Sequence, residues 1–442
     1  MSLSNWIERL EDRQLLAATP IPTNINLSKM RGSQSEGAVA VDPTNGNRVF
    51  VVSNIDRGDG LFTARSSDGG SHWSKQIIAD GFDSLEPACC DPSAAFDEFG
   101  NLFVGYINSD TNQVWVIRSG NAGQSFSKLD HFSGDIDQPT VTAGEGSVWV
   151  TFEQDQHIFA SGAHVSGLGR VGNFSDPEEL DGSRHGNFGD VAIGPSGQVM
   201  VTYQTPAAGR GPSMIYVNVD KDGTGPGGFG PARLVTSTNV GGFRRIAAQP
   251  SAKVDAEAGL AYDRSGGPFD GRVYMVYTIA PNTSSDNLDV RVRFSDDDGG
   301  SWSAPLKVNT DRTKFSQFLP KIAVDQTSGN VAFAWYDARN DRGAGSGSTN
   351  RRVNDDAQLW AAAAKPTANG LAFSKNFRVS TGTFNADRAN NTIDLGDYLG
   401  LTFRNGIFWP VWADNSNSTR DNPNGRLRAL DLYIAKVQMP VI

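Results

Sequence analysis

One pattern returns seven times along the 442 residues of this chain, and it restricts the fold more than any other feature. Small or apolar residues lead to Asp or Gly, then to a turn, then to a strand of alternating apolar residues. Four copies are AVAVDPTNGNRVFVVSN (38–54), SAAFDEFGNLFVGYIN (93–108), TVTAGEGSVWVTFE (140–153) and DVAIGPSGQVMVTYQ (190–204). Three more are GLAYDRSGGPFDGRVYMVYT (259–278), KIAVDQTSGNVAFAWYD (321–337) and LGLTFRNGIFWPVWAD (399–414). Period-two alternation marks strands, and the glycine-bearing breaks mark hairpin turns. A spacing of about 50 to 80 residues suits a propeller blade.

A third strand follows in each unit, such as LFTARS (61–66) and LDLYIAKV (430–437), and a short fourth, such as KQIIA (75–79), follows in six. The last unit lacks a fourth, while NINLS (24–28) stands alone at the start. The simplest closure adds this N-terminal strand to the last blade, leaving no open edge. The expected fold is all-β, a seven-bladed β-propeller of four-stranded blades spanning 23–442. Six blades with one unit displaced is the alternative. Residues 1–22 are read as a sorting motif and linker.

Three turns between third and fourth strands share a signature: SSDGGSHW (66–73), SGNAGQSF (119–126) and SDDDGGSW (295–302). Each fits Ser-x-Asp-x-Gly-x-x-Trp/Phe, with Asn121 replacing Asp once. An Asp in a turn accepts bonds from backbone N–H groups, and the glycine permits positive φ. Asp68, Asn121 and Asp297 are therefore read as turn pins supported by Ser66, Ser119 and Ser295. Gly70, Gly123 and Gly299 supply the turn, and Trp73, Phe126 and Trp302 anchor the blade edge. The run Asp296–Asp297–Asp298 lacks the alternating ligands and closing Glu of a calcium loop. These turns resemble the Asp-box, or BNR, repeats of the sialidase superfamily, with three boxes in seven units. The resemblance implies a propeller and, less specifically, a glycan-directed activity. Sialidases hold a substrate carboxylate with three arginines, the first in Arg-Ile-Pro before the first blade. This chain has SQSEGAVAV there, and its nearest echo is RRIAAQP (244–250).

The formal net charge is −10, and no Lys/Arg run exceeds a pair, which argues against nucleic acid as a partner. No apolar run approaches the ~18 residues of a membrane span. Cys89 and Cys90 are adjacent and the only cysteines, so they are either two small buried residues or a vicinal disulfide. ERLEDRQLLAA (8–18) resembles the LEPR-xLL sorting motif of exported bacterial proteins, with Asp12 in place of proline. It implies export to the cell surface or beyond.

Catalytic or binding groups are expected on the face opposite the Asp-box turns, around the mouth of the central channel. Loops leading into first strands bring Glu86, Asp137, Asp190 and Arg245. Loops leaving second strands bring Glu153 and Asp414. WYDAR (335–339) and GDYLGL (396–401) are the densest segments, giving Asp337, Arg339, Asp397 and Tyr398 as catalytic candidates. These acids either cap turns and pair with arginines, or bind a polyhydroxylated ligand, or hydrolyse glycosides with paired carboxyls. No metal or cofactor is expected. The ligand is read as carbohydrate or protein and the chain as a monomer. The favoured function is a non-catalytic binding module, and the alternative is an exo-sialidase-like glycoside hydrolase. RGAGSGSTNRRVNDD (342–356) is read as a lid or as disorder.

Overall fold

The computed structural model describes residues 20–442 except 59, 206–210, 390 and 392. The segment ERLEDRQLLAA lies outside the described residues. Seven antiparallel sheets surround a central channel. Their innermost strands are Ala38–Val41, Ala88–Phe96, Ile136–Gly144, Asn187–Ile193, Gly259–Tyr262, Gln317–Val324 and Gly400–Arg404. Each packs beside the next, and the seventh packs beside the first. The seven-blade reading holds, and the six-blade alternative falls.

Within a blade the chain steps outward, so second strands are covered on both faces by neighbouring blades. Every residue of Val49–Ser53 and of Val331–Asp337 is buried for this reason. Alternation in these strands sorts side chains between two dry interfaces, not between core and water. Trp335 and Trp412, both fully buried, fill two such interfaces. Burial of one large apolar side chain contributes about 1.5–3 kcal/mol.

The ring closes as the repeat count required. Asn24–Asn26 pairs antiparallel with Asp431–Ala435, with Ile25 opposite Ile434. Side chains fasten the seam. Asn24 Nδ2 donates to the Val379 carbonyl (2.9 Å), and Asn26 Nδ2 donates to Asp431 Oδ2 (2.5 Å). Leu27, wholly buried, donates its N–H to the Leu432 carbonyl (2.7 Å). The strand is shorter than the five residues expected, because beyond Asn26 the ladder with Asp431–Ala435 gives way to single bonds.

The three Ser-x-Asp/Asn turns have one geometry. Ser66, Ser119 and Ser295 each donate Oγ–H to Oδ1 of Asp68, Asn121 or Asp297, at 2.9, 2.8 and 2.7 Å. The same serine oxygens accept from the N–H of Gly70, Gly123 and Gly299, each at 2.9 Å. Gly70 (φ +87°) also lies against Trp409, where an added Cβ would stand 2.5 Å from the ring. Asp297 further accepts from Ser301 N–H (2.8 Å) and Ser301 Oγ–H (2.7 Å). Asp297→Ala should cost about 1 kcal/mol in a urea titration while leaving ligand affinity unchanged. Loss of affinity at full stability would place this turn in the site.

Two kinds of feature depart from the repeat. The outer strand is split in the third blade, into Arg170–Val171 and Glu178–Glu179, and in the sixth, into Gly370–Phe373 and Phe377–Arg378. A separate hairpin, Arg244–Ile246 and Gln249–Val254, interrupts the passage from the fourth blade to the fifth. RRIAAQP forms this hairpin and is no part of a blade.

Candidate functional site

Two places before AVAV, SAAF, TVTA, DVAI, GLAY, KIAV and GLTF, the matching segments of the innermost strands, stand Glu36, Asp91, Gln138, Phe188, Glu257, Leu319 and Tyr398 in blades one to seven. The first six of these all have positive φ, between +45° and +57°. Such backbone costs a non-glycine residue about 1–2 kcal/mol, so it persists only where the surroundings impose it. In blades two, three, four and six the ladder also slips beside this residue. Such kinks re-aim the side chains at the strand ends, and Gln138, Phe188, Glu257 and Tyr398 gather at one end of the channel.

From that end the channel widens into a cavity of about 450 Å³ lined by all seven innermost strands. Gln138, Phe188, Glu257 and Tyr398 lie at its closed end, with Asp190 and Lys321 just inside. Glu145, Arg264 and Arg404 lie at the opposite end, on the side of the Ser-x-Asp/Asn turns. Over the closed end, the 244–254 hairpin meets the segment leading to Asp397. Gln249 Nε2 donates to the Gly396 carbonyl (3.0 Å), and Gln249 Oε1 accepts from Leu395 N–H (2.9 Å). Asp394 Oδ2 accepts from the N–H groups of Ser251 and Ala252 (2.6 and 2.9 Å).

The closed end holds an unusual density of acid. Glu36 accepts from Asn54 Nδ2 and, at 3.3 Å, from Asp397 N–H. Asp91 Oδ2 accepts from Gln138 N–H (3.3 Å), and Asp397 Oδ2 stands 3.5 Å from Gln138 Nε2. Tyr398 donates its hydroxyl to the Pro92 carbonyl across the ring (3.2 Å). Burial, then the charge of Asp397, pushes Glu36 up to about 8. Burial, then Glu257 and Asp137, pushes Asp397 up to about 7. Glu257 rises to about 7 by burial, with Lys321 opposing. Burial also raises Asp91, Asp137 and Asp255, with like-charged neighbours adding to each. Glu153 rises to about 7, by burial and then Asp137. Tyr398 is raised by burial and by the surrounding acids. Like charges this close cannot all ionise, so near neutral pH some carboxyls carry protons and others do not. The site thus offers O–H donors and carboxylate acceptors together.

The sequence candidates divide. Asp190 and Tyr398 line the channel cavity, while Asp137, Glu153 and Asp397 belong to the acid cluster beside it. Asp337 and Arg339 instead form an internal ion pair of the sixth blade. Arg339 Nε and Nη2 donate to Asp337 Oδ2 (2.9 and 2.6 Å), which also accepts from Trp335 Nε1 (2.7 Å). The Arg339 guanidinium lies 4.1 Å from the Trp360 ring centre. Asp414 has the same role in the seventh blade, accepting from Trp412 Nε1 (3.1 Å) and Ser416 N–H (2.6 Å). Trp-x-Asp in both blades is therefore a strand-end lock. Glu86 pairs with Lys128 at 2.6 Å, half exposed. Arg245 is exposed and donates to the Pro250 carbonyl within its own hairpin (2.7 Å). Arg57 stands 3.9 Å from Asp56, so Arg57, Arg245 and Arg339 each have a different partner.

Glu36 and Asp91 lie in the loops leading into blades one and two, where nothing in the sequence marks them as central. Asp255 and Glu257 were missed, because VDAEAG directly precedes the fifth repeat and reads as a linker. Aligning the seven repeats and reading two places upstream would have found Glu257 and Gln138. Cys89 and Cys90 are joined as a vicinal disulfide immediately before Asp91.

No protein-family model and no curated protein matches this sequence. Among solved structures, a protein of unknown function from Dyadobacter fermentans DSM 18053 matches with TM-score 0.50 and 11% identity, covering 95% of this chain and 99% of that one. An α-L-arabinofuranosidase from Fusarium graminearum matches with TM-score 0.45 and 12% identity, over 69% of this chain and 88% of its own. A Hadza microbial sialidase matches with TM-score 0.43 and 13% identity, over 69% and 63%. At these identities the likeness is one of fold: the chain is a seven-bladed β-propeller whose structural neighbours include glycoside hydrolases.

Proposed function

We propose that the protein binds a neutral polyhydroxylated ligand, a glycan, at the acid-lined end of its channel. The observation that carries this reading is the clustering of Glu36, Asp91, Asp137, Glu257 and Asp397 about Tyr398, with Glu257 and Tyr398 lining a cavity of about 450 Å³. That volume lies within the range of small-molecule sites. A mixture of protonated and ionised carboxyls can accept from and donate to sugar hydroxyls. The same charge repels an anionic sugar such as sialate. Export is part of this reading and rests on the N-terminal ERLEDRQLLAA.

A second reading, glycoside hydrolysis, draws on the carboxyls held at about 7 to 8. An acid kept protonated near neutral pH can protonate a glycosidic oxygen while a neighbouring carboxylate activates water or attacks. Arg57, Arg245 and Arg339 are each engaged with different partners and form no shared carboxylate clamp, so a sialoside is the poorer substrate on this reading.

Titration calorimetry with neutral mono- and oligosaccharides tests the first reading. Glu36→Gln and Asp397→Asn should each weaken binding at least tenfold, about 1.4 kcal/mol, while circular dichroism stays unchanged. Unaltered affinity in both variants would remove the channel end as the site. Fluorogenic arabinosides, glucosides and a sialoside test the second: turnover by the wild type that disappears in Asp397→Asn would make the protein a hydrolase.

A further inference from the structure

The loop between the second and third strands of the sixth blade runs from Ala338 to Ala357, far longer than a hairpin needs. It is ordered by its own polar contacts. Gly343 (φ +71°) sits so close to the returning chain that an added Cβ would stand 2.7 Å from the Arg351 carbonyl oxygen. Asp341, Asp355 and Asp356 meet inside it, each offering a carboxylate oxygen within 4.8 Å of the other two. Their exposures are 0%, 3% and 1%. Among the described residues no salt bridge reaches any of the three.

Three carboxylates removed from water without a cation would repel one another and lose their hydration. Hydrogen bonds answer part of that cost. Asp341 accepts from Ser348 Oγ–H (2.6 Å) and from the N–H groups of Asp355 and Asp356 (2.9 and 3.1 Å). Asp356 accepts from Thr349 and from Asn385 Nδ2 (2.7 Å). Asp355 Oδ2 accepts from Asn350 Nδ2 (2.8 Å). The other oxygen, Asp355 Oδ1, is sealed from solvent and has no hydrogen-bond partner. A buried carboxylate oxygen left bare beside two further carboxylates is what a bound cation would complete.

We propose that Asp341, Asp355 and Asp356 form a calcium site that clamps the 338–357 loop. The donors are all oxygen, from carboxylates, hydroxyls and amides, without His or Cys, so a hard cation is selected over zinc. Their origin in an irregular loop suits the flexible coordination of calcium better than the strict octahedron of magnesium. Asn385, bonded to Asp356, caps the short helix Ala386–Arg388 that leads on toward Asp394 and Asp397. Calcium would therefore steady the covering of the channel end without belonging to it.

The test uses the full chain stripped with a chelator. Equilibrium dialysis against calcium should give one ion per chain. At calcium one hundredfold above its dissociation constant, the thermal midpoint should rise by about 3 °C. Asp341→Asn and Asp355→Asn should abolish both effects, and Glu36→Gln, in the channel, should abolish neither. Calcium should also slow tryptic cleavage at Arg351 and Arg352 of the wild type by about tenfold, a readout that needs no variant to fold. The proposal falls if the stripped protein binds no calcium or if cleavage of this loop is indifferent to it. It falls equally if both Asp variants keep the ion, or if magnesium at the same concentration gives the same shift.

Discussion

Asp337→Ala should destabilise the protein by about 3–5 kcal/mol, read as a lowered urea midpoint. Asp337 is 1% exposed and meets Arg339 in a two-pronged pair while accepting from Trp335 Nε1. Removing it leaves a guanidinium that is itself only 8% exposed with weaker partners. Asp311 at 3.9 Å and Asn376 Oδ1 at 3.3 Å are longer contacts than the 2.6 and 2.9 Å bonds that are lost. The double variant Asp337→Ala with Arg339→Ala should cost less than the sum of the two single changes, because the pair disappears as a unit. Additive losses, or a stable Asp337→Ala protein, would show that the pair is not a structural lock. The consequence for function is direct. Loss of binding or turnover in an Asp337 variant would report unfolding, so Glu36 and Asp397 are the informative positions.

Stability should fall as pH rises from about 5 to 8. Glu36, ordinarily near 4.5, is held at about 8 in the folded chain, and Asp397, ordinarily near 3.8, at about 7. Between the unfolded and folded values the native state binds protons that the unfolded chain has released. Stability then decreases with pH, present in full below the unfolded values and lost through the folded ones. Glu36 alone contributes a loss of about 1.4 kcal/mol per pH unit over that window. In acid the sign reverses. Asp311 and Asp325 are held below the ordinary value of 3.8 by hydrogen bonds that outweigh burial. Their contribution is present above that value and lost as pH falls through their folded ones. The optimum should therefore lie near pH 4.5 to 5. Urea midpoints measured from pH 4 to 9 check this, and Glu36→Gln, which keeps a neutral side chain, should flatten the descending limb. A wild type more stable at pH 8 than at pH 5 would contradict the acid cluster as described.

Much of the fold was legible because blade structure is local. Alternation and turn chemistry within about 50 residues fix each sheet, and seven copies fix the ring. The lone NINLS strand could go only to the blade that lacked one. The acids were less legible. Glu36 and the Asp397 N–H are hydrogen-bonded although 361 positions apart, and Trp335, Asp337 and Arg339 read as a site because they are dense in sequence. Density along the chain says nothing about whether a carboxylate is saturated by an indole and a guanidinium or left among other acids.

The sequence by itself determined a ring of four-stranded blades, their order, the closing strand and the three Ser-x-Asp/Asn turns, since each follows from residue periods shorter than one blade, and the structure then chose seven blades over six. Only the tertiary structure decided which carboxyls converge. Closing the ring brings Glu36, Asp91, Glu257 and Asp397, from four separate blades, together around Tyr398, and burial there, not residue type, sets which acids keep their protons.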